Sequence, residues 1–498
     1  MFTVSPQTIK YADALAVERY GLPDLALMKN AAKACFDYIY PLIKSGDKIV
    51  ILCGKGGNGG DGYELARILK KEWFDVTAIN VLDCEPNTET ARTVYGECKK
   101  SGVNTLCSCE WKNVLSTANV IIDALFGVGF YGGIEKNTEI GKMLSFCNEK
   151  DALRIAIDVP SGINSGDGRC EGVAFEADLT ITMAYIKTGM LCYPARQYCG
   201  KIKVADIGYP KDLCEQIKKD ALIPDDEYVK QVLPKRQKNT HKGDFGRLLM
   251  YCGSPTMTGA AVLAAKAALR SGVGLVNIAR DAETIKILQT HLVEPIFSPL
   301  FESALTEMLT LSEKASAILI GCGMGRAEND KNVLFSLIKN ADCNLIIDAD
   351  GINCLCENKI ILREAKKTPI LTPHPLEFAR LIGKDAKEVQ TNRLNLAREF
   401  AKEYGCVLVL KGAGTVIASP DASFAINTGG NAGLSKGGSG DVLAGLIASF
   451  AAQGISPFDS AVTGAYLHAR GADILKEEIS EYGLIPSDLP MAIAKLLP

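Results

Sequence analysis

The run Gly437-Gly438-Ser439-Gly440-Asp441-Val442-Leu443-Ala444-Gly445 sets small residues at an expected helix start, with one carboxylate directly behind them. Backbone N–H groups left free at such a start form a site for an anion. Asp441 could take a proton from a substrate hydroxyl while those amides hold phosphate charge. That pairing suggests phosphoryl transfer or elimination at a hydroxyl. The plainer alternative is a tight loop whose Asp caps a helix. Upstream, Lys411-Gly412-Ala413-Gly414-Thr415 follows the apolar run Cys406–Leu410, an expected strand end whose small residues let a nucleotide approach the backbone.

A second glycine loop, Cys53-Gly54-Lys55-Gly56-Gly57-Asn58-Gly59-Gly60-Asp61-Gly62, lies between an apolar run and a helix-like pattern. Gly54, Gly56 and Gly59 fit the dinucleotide fingerprint, and Asp83 could serve as its ribose-binding acid, so an ordinary dehydrogenase stays open on this motif alone. Two further apolar runs end in carboxylates: Ile121-Ile122-Asp123 before Gly127-Val128-Gly129, and Ile157-Asp158 before Val159-Pro160-Ser161. Either Asp alone could be a turn former. On one parallel sheet the three ends would converge on one crevice. Asn58, Asp123 and Ser161 would then offer hard oxygen ligands to a weakly held cation, leaving Asp158 as an acid/base.

The elements that must position these groups alternate in α/β order twice. The first half carries β-like runs at Lys48–Cys53, Val76–Leu82, Val120–Leu125, Arg154–Val159 and Leu179–Met183, with helical patterns at Gly62–Lys71 and Thr88–Lys100. The second restarts at Arg247–Cys252, followed by an Ala-rich helix from about Gly259 to Arg270 and strands at Ala317–Ile320, Asn344–Ile347 and Val407–Leu410. Strands alternating with helices indicate mostly parallel sheets covered on both faces. A length of 498 residues also asks for two or three domains. The expected division is 1–215, a linker at 216–235 in the charged stretch, and 236–498.

Composition narrows the function classes. A hydrophobic share of 47% and a charged share of 23% suit a globular enzyme. The net charge of −3 gives no basic footprint for nucleic acid. No run of about 18 apolar residues argues for a membrane span, and the N-terminus shows no signal-peptide pattern. The 17 cysteines are scattered, with close pairs only at Cys107/Cys109 and Cys354/Cys356, and no histidine stands near them at zinc-site spacing. Reduced thiols and a cytoplasmic location are expected.

Almost the whole chain resembles the bifunctional NAD(P)H-hydrate repair enzymes. In the first half the resemblance rests on LMKNAA (27–32), GKGGNGGDG (54–62), DALFGVG (123–129) and DVPSGINSGDG (158–168). In the second it rests on HKGDFG (241–246) and the stretch that follows to 276, IGCGMG (320–325), DADGIN (348–353), LTPHPLEFARLIG (371–383), LKGAGTVIA (410–418) and GGSGDVLAG (437–445). Two departures stand in the first half: Gly57 replaces the family's usual Asn, and Lys29 its usual acid.

The resemblance implies an N-terminal Rossmann-like epimerase domain and a C-terminal ribokinase-like dehydratase domain that uses ADP with Mg2+. It implies that Asp158 is the epimerase acid/base and that Asn58, Asp123 and Ser161 hold K+. Gly57, Asn58, Gly59, Gly60 and Asp61 would contact the hydrated nicotinamide dinucleotide, with Gly127, Val128, Gly129, Phe130, Tyr131, Gly132 and Gly133 as a loop over it. In the dehydratase it implies Asp441 as the base, Ala260, Gly323 and His374 as hydrate contacts, and Lys411, Gly412, Ala413, Gly414, Thr415 and Gly440 as nucleotide contacts. His374 could instead be a helix-capping residue. The expected partners are the hydrate and ADP, with neither nucleic acid nor membrane, and a homo-oligomer is expected. The competing reading is a ribokinase-like small-molecule kinase fused to a non-catalytic nucleotide-binding domain.

Overall fold

The computed structural model describes residues 1–301 and 304–498. The chain forms two compact units, Phe2–Ala221 and Leu222–Pro498, the latter with Met1. The division falls inside the stretch read as a linker. The helix Asp226–Val232, N-capped by Asp225, packs in the second unit, where Val229 is buried and Tyr228 Oη donates to Asp459 at 2.6 Å.

The first unit is built on seven strands: β1 Lys48–Cys53, β2 Asp75–Asn80, β3 Asn104–Cys107, β4 Val120–Ala124, β5 Leu153–Ile157, β6 Leu179–Met183 and β7 Lys201–Ala205. Their order is β3-β2-β1-β4-β5-β6-β7, and every pairing is parallel. The central strands β1 and β4 are apolar and covered on both faces, as a parallel sheet between helices requires. The helices Asp24–Ile39, Gly57–Lys71 and Glu89–Lys100 close one face, and Trp111–Ser116 with Glu139–Glu149 close the other. The edge strands β3 and β7 were not foreseen. Both are half exposed, and β7 alternates lysines with aliphatics, so neither carries the apolar run that marks a central strand.

Strand order reverses between β1 and β4. Their following loops leave in opposite directions and open a crevice at the carboxyl ends, the usual ligand position in such sheets. Register puts the ends level, with Leu52 beside Asp123 and Asp123 beside Ala156 of β5.

The second unit holds β8 Arg247–Tyr251, β9 Leu275–Arg280, β10 Ile296–Pro299, β11 Ala317–Ile320, β12 Asn344–Ile347, β13 Ile370–Leu371, β14 Val407–Leu410, β15 Thr415–Ala418 and β16 Phe424–Asn427. The order is β10-β9-β8-β11-β12-β13-β14-β15-β16; only β14-β15 and β15-β16 run antiparallel. The core helix Ser439–Ala452 packs on the Ala-rich helix Thr258–Arg270 so closely that a Cβ on Gly445 would lie 2.2 Å from the Ala264 carbonyl oxygen. Among the described residues no helix is long and apolar enough to cross a membrane.

Candidate active sites

In the first unit a cavity of about 660 Å³ opens over the carboxyl ends of β1, β4 and β5. Of the expected residues, Gly57, Asn58, Asp61, Gly127, Val128, Gly129, Phe130, Tyr131 and Asp158 line it. Gly59 and Gly60 lie beneath it. A Cβ on Gly59 would meet the Gly54 carbonyl oxygen at 1.9 Å, and one on Gly60 would meet the Met28 side chain. Gly132 and Gly133 are outside the lining; Gly133 packs on the backbone at Glu171.

Asp123 and Ser161 sit below the cavity floor, both essentially buried. Ser161 donates to Asp123 twice, from N to Oδ2 and from Oγ to Oδ1, each at 2.7 Å, and Leu125 N adds a third bond at 3.1 Å. Burial nevertheless pushes the Asp123 carboxyl up to about 6. No cationic side chain pairs with it among the described residues. Asn58 ties two strand ends together, its Nδ2 donating to Phe126 O at 2.9 Å and Ile157 O at 3.1 Å. Its Oδ1 is buried without a hydrogen-bond donor.

Asp158 follows β5 with φ +67 and is 7% exposed. Its Oδ1 lies 2.5 Å from Lys187 Nζ, and its Oδ2 accepts from Val128 N at 3.2 Å. Asp61 lines the same cavity; burial, then the charges of Asp158 and Asp13, push its carboxyl well above the usual carboxylate range. Asp13 and Tyr209 form another part of the wall, with Tyr209 Oη donating to Asp13 at 2.5 Å. Lys187, Asp13 and Tyr209 were not foreseen. Lys29 lies away from the lining and pairs with Glu97 at 3.2 Å, whereas Gly57 faces the cavity. Asp83 is engaged locally, accepting from Ser108 N and Oγ.

In the second unit the helix Ser439–Ala452 starts from Gly438, whose φ of +102 suits glycine alone. Asp441 stands in its first turn. Burial, and behind it the Asp348 charge, push its carboxyl up to about 6. Asp348, at the end of β12 and 1% exposed, accepts from Lys411 Nζ at 2.9 Å and Thr372 Oγ1 at 2.7 Å. A Cβ on Gly440 would lie 3.1 Å from Lys411 Nζ, so the lysine of the nucleotide loop and the glycine turn meet. Arg393 supports that loop, donating to Leu410 O at 3.0 Å and Lys411 O at 3.1 Å. Gly412 passes against the Arg393 guanidinium, while Ala413 and Gly414 carry the turn on to Thr415, whose hydroxyl donates back to Gly412 O at 2.9 Å.

Ala260 and Gly323 are neighbours: a Cβ on Gly323 would come within 3.0 Å of the Ala260 methyl. His374 caps the helix Pro375–Ile382, its Nδ1 accepting from Leu376 N and Glu377 N at 3.1 and 3.2 Å. Nδ1 as acceptor means a neutral ring, and burial with the Lys411 charge outweighs Glu377 to lower its pKa. The capping role is therefore real, and Nε2 lies 3.4 Å from Glu377 Oε1. Asp348 could have been found from sequence, since Ile346-Ile347-Asp348 repeats the apolar-run-then-Asp signature of Asp123 and Asp158.

Residues 248–495 match the family model described as NAD(P)H-hydrate dehydratase, and residues 24–189 match the YjeF-related protein N-terminus. The bifunctional NAD(P)H-hydrate repair enzyme of Moorella thermoacetica is 33% identical over 506 aligned positions, covering 98% of this chain and 95% of that protein. The enzyme of the same description from Escherichia coli K12 is 32% identical, covering 99% of this chain and 94% of its own length. Among solved structures, the ADP/ATP-dependent NAD(P)H-hydrate dehydratase of Bacillus subtilis, co-crystallised with ATP/Mg2+, is 32% identical with a TM-score of 0.49, covering 56% of this chain and 98% of that one. By descent along nearly its entire length, the chain belongs to the bifunctional NAD(P)H-hydrate repair enzymes.

Proposed function

We propose that the first unit interconverts the two C6 epimers of hydrated NADH or NADPH and that the second dehydrates the S epimer at the expense of ADP. The observation that carries this reading is that one chain, related end to end to the repair enzymes, holds a carboxylate in each unit's site, Asp158 after β5 and Asp441 in the first turn of the helix Ser439–Ala452.

The hydrate carries a hydroxyl on C6 beside the ring nitrogen. Such a hemiaminal loses configuration through an iminium or a ring-opened form, and a positioned acid/base speeds either path by about 10²–10⁴-fold. Asp158 is that group. Asn58, Asp123 and Ser161 supply oxygens suited to K+: among the described residues, the buried Asn58 Oδ1 has no donor and the buried Asp123 has no cationic partner. Asn58 and Ser161 tie the strand-end loops together, and a K+ held by these oxygens would supply fixed positive charge there.

In the second unit Asp441 takes the proton of the C6 hydroxyl as it attacks the β-phosphoryl group of ADP, releasing AMP. The ring nitrogen then expels phosphate with its bonding electron pair, and loss of a C5 proton restores the dihydronicotinamide. Amides at Gly438–Gly440 and the Lys411 ammonium stabilise the transferring phosphoryl group. Mg2+ enters with the nucleotide as counter-ion to its phosphates. Ala260, Gly323 and His374 contact the hydrate.

All seventeen cysteines stand as thiols, which fits a reducing compartment and the cytoplasmic location that goes with this reading. A kinase fused to an inert binding module is not favoured, because kinship to the repair enzymes extends across both units. The test is to supply mixed hydrate epimers with MgADP and follow the reduced-nicotinamide absorbance. Complete recovery with stoichiometric AMP and phosphate is expected. Recovery that stops at the S fraction refutes the epimerase, and a stable phosphorylated product refutes the dehydratase.

A further inference from the structure

Lys187 is 0% exposed, and among the described residues it is the only fully buried cation of the first unit. A lysine there must find three acceptors for its three N–H donors. It finds them in Asp158 Oδ1 at 2.5 Å, Thr182 Oγ1 at 2.9 Å and the Met183 carbonyl at 3.0 Å. The ammonium is saturated and has no path to a substrate. Its backbone is fixed as well, by a bridge to Val4 and by the turn that starts at Thr188.

The consequence falls on Asp158. Its Oδ1 is committed to Lys187, with Met183 N at 3.4 Å on the same oxygen. Its Oδ2 accepts from Val128 N, at 3.2 Å, and would lie 3.0 Å from a Cβ on Gly127. Oδ2 is therefore the oxygen beside the cavity and the loop 127–133. Asp13, Asp24 and Asp61 line that cavity too, so four carboxyl groups share the space. Without a cation, mutual repulsion would turn the Asp158 side chain away.

We infer that Lys187 is the positioning residue of the epimerisation: it commits Asp158 Oδ1, keeps the carboxylate aimed through Oδ2, and through Val128 holds the start of the substrate loop. This rests on Asp158 being the acid/base. Lys187 itself touches no reacting atom.

The test uses the full chain and three variants: Asp158→Asn, Lys187→Met and the double variant, with initial epimerisation rates measured on pure R hydrate. Lys187→Met is expected to lower kcat by at least about 10²-fold with KM within about threefold, since its contacts are to Asp158 rather than to substrate. In the Asp158→Asn background the lysine has no carboxylate to hold, so the double variant is expected to match Asp158→Asn within about threefold. A lysine needed only for folding would cost the same in either background. Should Lys187→Met fail to accumulate as folded protein, the comparison of the double variant with Asp158→Asn still decides. A further loss of tenfold or more in the double variant, or near-normal kcat in Lys187→Met, overturns the inference. Normal epimerisation by Asp158→Asn removes the acid/base reading itself, a result distinct from either of those.

Discussion

Asp441 stands in the first turn of a helix and Asp123 within the strand β4, and burial has different consequences for the two. For Asp441 the shift to about 6 is useful in a base, because a base whose pKa lies near the working pH combines ionisation with proton affinity. The sign follows directly. The base must be ionised, so dehydration is expected to fall about tenfold per pH unit below pH 6 and to level above it. Asp441→Asn is expected to lose at least about 10²-fold in dehydration and to keep epimerisation. A wild-type acid limb near pH 4, or a variant of near-normal rate, contradicts the assignment. For Asp123, also pushed up to about 6, the remedy is a cation. Replacing K+ with tetramethylammonium is expected to slow epimerisation, and Asp123→Ala is expected to be slow and indifferent to K+. Equal K+ dependence in variant and wild type speaks against the ligand set. At this scale Asp158 and Asn58 were legible because loops after apolar runs announce themselves, and Asp441 because a glycine run opens the helix that carries it. Lys187 was not, because a lone lysine between Ile186 and Thr188 has no signature until the fold brings Asp158 to it.

At the scale of elements, the glycine loop after β1 matched a dinucleotide fingerprint for a reason that is partly packing. A Cβ on Gly54 would lie 1.9 Å from the Leu125 carbonyl oxygen, and one on Gly59 equally close to Gly54 O. These glycines let the loop after β1, the loop after β4 and the helix Gly57–Lys71 wedge together. Gly56 and Gly57 meet no neighbour, so their role is openness toward the ligand. Gly59→Ala must therefore move the backbone. It is expected to destabilise the first unit by about 1–3 kcal/mol and to abolish epimerisation, with dehydration intact. Thermal unfolding with both assays checks this; an unshifted midpoint shows that the loop is looser than drawn. The same scale explains what was legible in the sheets. Central strands such as β1, β4, β11 and β14 read directly as apolar runs, whereas β13 is only two residues long and β15–β16 form an antiparallel pair toward the sheet edge, outside the strand–helix alternation.

For the whole molecule, the sequence pointed to two α/β units, 1–215 and 236–498, joined by a charged linker at 216–235. Charge and prolines in residues 211–235 look like a linker, but charge alone does not say whether a segment packs. Here the helix Asp226–Val232 buries Val229 with Phe450 and Leu467, and its tyrosine donates to Asp459. Tyr466 Oη returns a bond to Asp226 at 2.7 Å, and Leu222 bridges to Ala425 of β16. Burying one Val-sized side chain contributes about 1.5–3 kcal/mol, and each of these hydrogen bonds about 1 kcal/mol. A fragment of residues 222–498 is therefore expected to fold and dehydrate S hydrate alone, and residues 1–221 to fold and epimerise alone. A fragment of residues 236–498, which lacks the helix, is expected to be less stable than 222–498 by at least about 3 kcal/mol in urea unfolding. Equal stability of the two longer-unit fragments means the helix is a decorated linker after all. Soluble 1–221 and 222–498 that act only when mixed mean that the two sites depend on each other, and the proposal of two self-sufficient catalysts on one chain fails.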